Sequence, residues 1–226
     1  MTAPTVIERL AHVSARISAT GRNPDEVAIV AVTKGFGVEA CREALGAGLN
    51  MLGENRIQEA LPKLEAVNAA QWHLIGHLQT NKVKDAAGRF ALIQTVDSVR
   101  LAEAIARRAP QQAVLVEVNV ARDQQRSGVS PEAALELIAT AYKLLDLQGL
   151  MGMGPAEGDP APAFNELRRL RDQAEQWIGK PLPVLSMGMS GDFEAALAAG
   201  STMLRLGQAL FGPRATPGSR RAPLQD

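Results

Sequence analysis

Eight short apolar runs alternate with amphipathic stretches, and the runs end in glycine and polar residues along one rim. This pattern predicts a closed (β/α)8 barrel of the α/β class, the TIM-barrel architecture. The length agrees, since 226 residues are many for one sandwich or bundle and few for two full domains. With 46% hydrophobic residues, a chain of this size buries most of the surface it exposes when unfolded.

The elements follow in order. Val6, Ile7, Leu10, Val13 and Ile17 recur at helical spacing, so residues 3–19 read as a leading helix outside the repeat. Gly21 and Asn23-Pro24-Asp25 break it. Val27 to Thr33 is then a continuous apolar run of buried-strand character. Further strands are expected at 50–52, 72–75, 91–96, 114–120, 147–151, 184–187 and 202–206. Helices are expected at 38–48, 55–68, 97–109, 131–145, 162–178 and 192–199. Asp97, Ser130-Pro131 and Gly191-Asp192 supply helix-start signals. The stretch Thr80 to Ala87 has the weakest helical pattern. The whole chain, 1–226, reads as one domain whose residues from Gly212 onward form a loose tail.

Composition narrows the function. Lys+Arg and Asp+Glu both number 24, a neutral balance that argues against a nucleic-acid or anionic-membrane binder. The single cysteine, Cys41, suits a reducing cytoplasm, and the first ten residues carry Glu8 and Arg9 rather than a signal-peptide core. His12, His73 and His77 show no metal-ligand spacing.

Barrels place chemistry at the C-terminal ends of their strands. Lys34 ends the first apolar run, and alternation from Val30 and Val32 aims it into the barrel mouth. A lysine there is costly to bury charged, so the neutral amine that carbonyl condensation needs is favoured. Gly188, Ser190 and Gly191 follow the seventh strand and Gly207 follows the eighth, the two loops in which barrels commonly hold phosphate. Arg205 shares the inward parity of Met203 and is a candidate anchor for a ligand acceptor atom. A rival reading takes Gly35-Phe36-Gly37-Val38-Glu39-Ala40 as a dinucleotide fingerprint, with Glu54 as the ribose acid. It leaves Lys34 and the late loops unexplained.

These residues resemble the pyridoxal phosphate homeostasis proteins, also called proline synthase co-transcribed homologues. The matching stretches are Ala31-Val32-Thr33-Lys34, the run from Gly53 to Glu59, the run from Trp72 to Lys82, Arg126-Ser127-Gly128, Leu185 to Ser190, and Arg205 to Gly212. The resemblance implies the fold of the alanine racemase N-terminal domain and pyridoxal 5'-phosphate (PLP) as cofactor, carried as a Schiff base on Lys34. It makes Arg205 the partner of the pyridine nitrogen and Ser190, Gly207 and Gln208 the phosphate contacts. Asn55 lies beside the cofactor, and Ser186 lies in the same binding motif. Two positions depart from the family. Gly35-Phe36-Gly37 stands where a proline often follows the lysine, and Gln208 replaces a small hydroxyl residue, which leaves phosphate binding there to the backbone.

Racemases of this fold use two bases, and the resemblance places the second, a tyrosine, in a further domain. The only tyrosine here, Tyr142, lies within a helix away from the rim. His77 is the one other titratable group near the strand ends, and it reads as a locally hydrogen-bonded loop residue. The expectation is therefore a cytoplasmic PLP carrier rather than an enzyme, monomeric or a weak homodimer, with apo PLP-dependent enzymes as recipients. The alternative is a PLP-dependent enzyme such as an amino-acid racemase.

Overall fold

The structure, a computed structural model, describes residues 3–213. Eight parallel strands close into a barrel in sequence order: β1 (Ala28–Val32), β2 (Met51–Glu54), β3 (Gln71–Leu74), β4 (Leu92–Val96), β5 (Ala113–Val118), β6 (Asp146–Gly152), β7 (Val184–Ser186) and β8 (Met203–Leu206). The ring closes where β8 pairs with β1, with Val30 opposite Arg205. Outside it run α1 (Val6–Ala19), α2 (Val38–Gly46), α3 (Ile57–Ala66), α4 (Val83–Ala86), α5 (Val99–Ala106), α6 (Ala134–Leu144), α7 (Ala161–Ile178), α8 (Phe193–Ala198) and α9 (Gln208–Phe211). None of these helices is long and apolar enough to cross a membrane.

The eight expected strands all form, with ends shifted by at most a few residues. The weak stretch Thr80 to Ala87 folds as a 3-10 turn, Thr80–Lys82, followed by the single turn α4. The leading helix begins at Val6, where Thr5 and Glu8 form a reciprocal capping box. α9, a single helical turn at Gln208–Phe211, was not anticipated; it ends just before Gly212, where the loose tail was expected to begin. That tail lies, beyond Pro213, outside the described residues.

Two apolar clusters hold the barrel. The larger one lies between the strands and their helices. The smaller one fills the barrel's interior with Val30, Leu92, Leu115, Met151 and Met203, all buried. Strand alternation divides them, since Ala31 packs outward while Val30 packs inward. Above the inner cluster the same inward parity delivers polar side chains: His73, Gln94, Glu117, Ser186 and Arg205, all buried.

One buried ion pair ties the ends of β1 and β2 together from outside. Lys63 on α3 places Nζ 2.6 Å from Glu54 Oε1 and donates to the Thr33 carbonyl at 2.9 Å. Thr33 Oγ1 donates to the same carboxylate oxygen at 2.6 Å. Thr33 and Glu54 immediately precede Lys34 and Asn55, so the pair fixes the points from which those two side chains depart. Glu54 is fully buried on the helix side of the sheet. It therefore cannot serve as a ribose ligand.

Removing one member of a buried pair strands the other's charge, whereas replacing both with apolar groups often restores stability. Lys63→Met is expected to lose about 3–5 kcal/mol of unfolding free energy in urea titrations. The double variant Glu54→Leu with Lys63→Met should recover most of that loss. Equal stability of Lys63→Met and the wild-type protein would contradict a structural role for the pair.

Candidate functional site

A cavity of about 360 Å³ opens at the C-terminal ends of the strands. Its wall includes Lys34 and Val32 after and on β1, Asn55 after β2, Gly76 and His77 after β3, and Glu117 on β5. Met153 follows β6, Ser190 and Gly191 follow β7, and Arg205, Gly207 and Gln208 belong to β8 and its continuation. Six of the seven residues expected to bind cofactor thus converge on one space. Lys34 is half-buried at the cavity edge, in the turn where Gly35 adopts φ +77°. That left-handed turn carries the chain from β1 to α2 and suits glycine.

Two glycines are required by close approach. A Cβ at Gly76 would lie 2.2 Å from the Asn55 carbonyl oxygen, so this residue lets the ends of β2 and β3 meet under the cavity wall. Gly188 has φ +95°, and its Cβ would lie 2.7 Å from that of Ala196, so the β7 loop can fold down onto α8. By contrast, a Cβ at Gly37 would meet nothing within 4 Å. The second glycine of the apparent dinucleotide fingerprint is therefore not there for close backbone approach, and Phe36 between the two glycines packs on Phe211 with ring centroids 5.1 Å apart. The fingerprint is coincidental.

The β7 and β8 loops form one corner of the cavity. Ser190 Oγ accepts from the Ala209 N–H of α9 at 3.1 Å, which joins the two loops. Asp192 caps the β7 loop by accepting from the Met189 N–H at 2.6 Å. The first N–H groups of any helix lack intrahelical acceptors, so Gln208 and its neighbours bring donors to this corner. Gln208 is exposed and sits at the first turn of α9.

Arg205 supplies the cavity's buried cation. Its Nη1 donates to the Ser186 carbonyl at 2.8 Å and to Ser186 Oγ at 2.7 Å, and its Nη2 to the Gly152 carbonyl at 3.0 Å. Burial pulls its pKa down to about 10, opposed by the negative charges of Glu117 and Asp192. It remains cationic at neutral pH. A guanidinium has five N–H donors; among the described residues these bonds use three, leaving Nε–H and one Nη2–H for a ligand.

Ser186, expected among the cofactor contacts, does not line the cavity. It is fully buried one layer below, where its hydroxyl accepts from Arg205 and donates to Gln94 Oε1 at 2.7 Å. β7 ends at Ser186 with the side chain facing the barrel axis, beneath the loop that reaches the cavity.

Glu117 was missed. It is 2% exposed, and Ser127 Oγ donates to its Oε1 at 2.9 Å, while its Oε2 has no partner among the described residues. Burial raises its pKa above the usual carboxylate range, against smaller opposing contributions from Ser127, Arg205 and His77. Asn55 likewise keeps a buried, unpartnered Oδ1 at the cavity. The available signal for Glu117 was parity, because it alternates with Ala113 and Leu115 on the inner face of an apolar strand. His77 stands at the rim with Nδ1 3.0 Å from Asp97 Oδ2. Tyr142 lies elsewhere, on α6 beneath Lys180, in a groove shared with Asp146 and Pro183 near the other end of the barrel.

His73 is buried inside the barrel, and desolvation lowers its pKa from 6.5 to about 4. A histidine depressed in the folded state contributes stability that is complete above its unfolded pKa and lost as pH falls toward the folded value. Between pH 6.5 and 4 the wild-type protein is expected to lose about 3 kcal/mol that a His73→Gln variant does not lose. Glu117 acts with the opposite sign, favouring the fold as pH falls, but it is common to both proteins and cancels in the difference. Denaturant titrations across this range measure it, and parallel pH profiles would refute the assignment.

The chain matches known proteins along almost its whole length. The family model described as alanine racemase, N-terminal domain, matches residues 7–215. A pyridoxal phosphate homeostasis protein of Aquifex aeolicus is 40% identical over 222 residues, covering 92% of this chain and 97% of its own. Its counterpart in Escherichia coli K12 is 35% identical over 229 residues, covering 92% and 97%. Among solved structures, PipY of Synechococcus elongatus with PLP bound superposes with a TM-score of 0.80 at 32% identity, covering 92% of this chain and all of that one. An alanine racemase of Clostridium difficile shares the fold, with a TM-score of 0.77 at 16% identity, and this chain covers 64% of it. The closed barrel, its extra N-terminal helix and relatives of matching length at 35–40% identity place this chain in the pyridoxal phosphate homeostasis protein family.

Proposed function

We propose that this protein binds PLP in the cavity above β1 and β8 and serves the homeostasis of that cofactor, with Lys34 as the attachment point. The observation that carries the reading is the convergence, in one 360 Å³ cavity, of a lysine, a buried arginine with unspent donors, and two loops joined at a helix start. PipY, similar to this chain along its whole length, has been solved with PLP bound, and the relatives are named for PLP homeostasis.

The lining fits the group. Asn55 Oδ1 is a buried acceptor without a partner, and Arg205 keeps donors for a ring nitrogen. The corner of Ser190, Gly207 and Gln208 offers a hydroxyl and helix-start N–H groups to a phosphate. When bound, PLP supplies an aldehyde that an amine can capture reversibly. Lys34 provides that amine. Arg205 is a permanent donor, so it holds the ring nitrogen unprotonated and weakens the ring as an electron sink. That arrangement suits sequestration and delivery of a reactive aldehyde to apo-enzymes, within the cytoplasm, better than turnover.

A second reading is favoured by Glu117. A buried carboxyl with one oxygen unpartnered among the described residues, its pKa raised by burial, is a candidate second acid or base for an amino-acid racemase or related enzyme. The carrier reading expects no more Cα proton exchange of L- or D-alanine in deuterated water than free PLP gives. Exchange above that level, abolished by Glu117→Gln with cofactor still bound, would establish the enzyme instead.

For the cofactor itself, the purified protein is expected to take up PLP with a visible absorbance band, and borohydride should fix it covalently. Mass spectrometry of the reduced protein should find the adduct on Lys34. An adduct on Lys82 or Lys84 would overturn the assignment.

A further inference from the structure

Inside the barrel, one layer below the cavity, four side chains from four strands form a single line of hydrogen bonds. Arg205 Nη1 donates to Ser186 Oγ at 2.7 Å, Ser186 Oγ donates to Gln94 Oε1 at 2.7 Å, and Gln94 Nε2 approaches His73 Nδ1 at 2.9 Å. All four are at most 5% exposed. Gln94 and His73 do not line the cavity. They belong to β4 and β3, across the barrel from Arg205 on β8.

The direction of every bond in the line follows from one end. A guanidinium only donates, so the Ser186 oxygen must accept and its single proton must go to Gln94. The Gln94 carbonyl oxygen then faces Ser186, which turns its amide N–H groups toward His73 and Met203, whose sulfur lies at 3.4 Å. His73 Nδ1 must therefore accept, and the ring carries its proton on Nε2. Burial favours that same neutral form of His73. Reversing Gln94 would set two donors against Ser186 Oγ and leave its hydroxyl proton without an acceptor. The low dielectric of the barrel interior makes such a mismatch costly.

We propose that Gln94, held by His73 and acting through Ser186, is a positioning residue that sets the orientation of Arg205 toward the ring nitrogen of the bound cofactor. Ser186 holds Nη1 through two bonds and Gly152 holds one edge of Nη2, so the plane of the guanidinium is fixed by groups that do not line the cavity. Loss of the Gln94 acceptor frees the Ser186 hydroxyl to turn, and the Nη1 anchor loosens. The inference rests on PLP occupying the cavity with its ring nitrogen at Arg205.

The test measures affinity for two ligands, PLP and its 1-deaza analogue, in which CH replaces the ring nitrogen. Titrations followed by absorbance compare the wild-type protein with Gln94→Leu and Gln94→Glu. Gln94→Leu is expected to weaken PLP about tenfold and the deaza analogue less than twofold, with a shift of the bound PLP absorbance band. Gln94→Glu keeps an acceptor for Ser186 and is expected to restore PLP affinity to within about threefold of wild type. Equal loss of both ligands in Gln94→Leu would reduce Gln94 to a structural residue and overturn the proposal, as would no loss of either. If Gln94→Leu does not fold, Ser186→Ala takes its place with the same two ligands and the same expectation. Failure of the wild-type protein to bind PLP would instead remove the reading beneath the proposal, and the wild-type titration shows this separately.

Discussion

A guanidinium enclosed in a barrel is the constraint around which the upper half of this molecule is arranged. Arg205 is buried, and its charge has lost most of its hydration. The barrel compensates with two backbone carbonyls at the ends of β6 and β7, with the Ser186 hydroxyl, and with the charges of Glu117 and Asp192. These groups come from β5, β6, and β7 with the loop that follows it. Small shifts in strand register would separate them, so the charge selects one arrangement of the strand ends and penalises the rest.

A second constraint acts from outside the sheet. Lys63 and Glu54 clamp the ends of β1 and β2 on the helix side, while Arg205 and its partners act on the axis side. The strand ends are thus held from both faces by ionic groups. The cavity between them inherits its shape from these two anchors rather than from its own lining. Its polar atoms, notably Asn55 Oδ1 and Glu117 Oε2, can then stay unpartnered without the walls collapsing onto them. Such atoms cost stability when left unmet, and the two anchors are where that cost is offset.

The barrel was legible because strand and helix periods differ and the alternation is repeated eight times. Lys34 and Arg205 were legible by parity, since each continues an inward series begun by apolar residues. What was hidden depended on partners remote in sequence. Glu54 looks like a ligand residue until α3 packs and brings Lys63 to it. Ser186 reads as a cofactor contact because it stands in the right motif, and only the end point of β7 reveals that it lies one layer too deep. Glu117 sits in a run of valines and a leucine, where an acid is easily passed over. The line from Arg205 to His73 joins four strands, and no local pattern in any one of them announces it.

The pairing of β8 with β1 has a consequence for synthesis. Lys34 and Arg205 become neighbours only when the ring is complete, with Val30 opposite Arg205. A growing polypeptide on the ribosome exposes the lysine early, as an ordinary solvated amine, and gains the arginine only after nearly all of the barrel has emerged. The wall is assembled piece by piece, from Asn55, His77, Glu117 and Met153, but the arginine and the last loop come only with β8. The surroundings of this lysine are therefore set by topology: they are complete only when the last strand docks against the first.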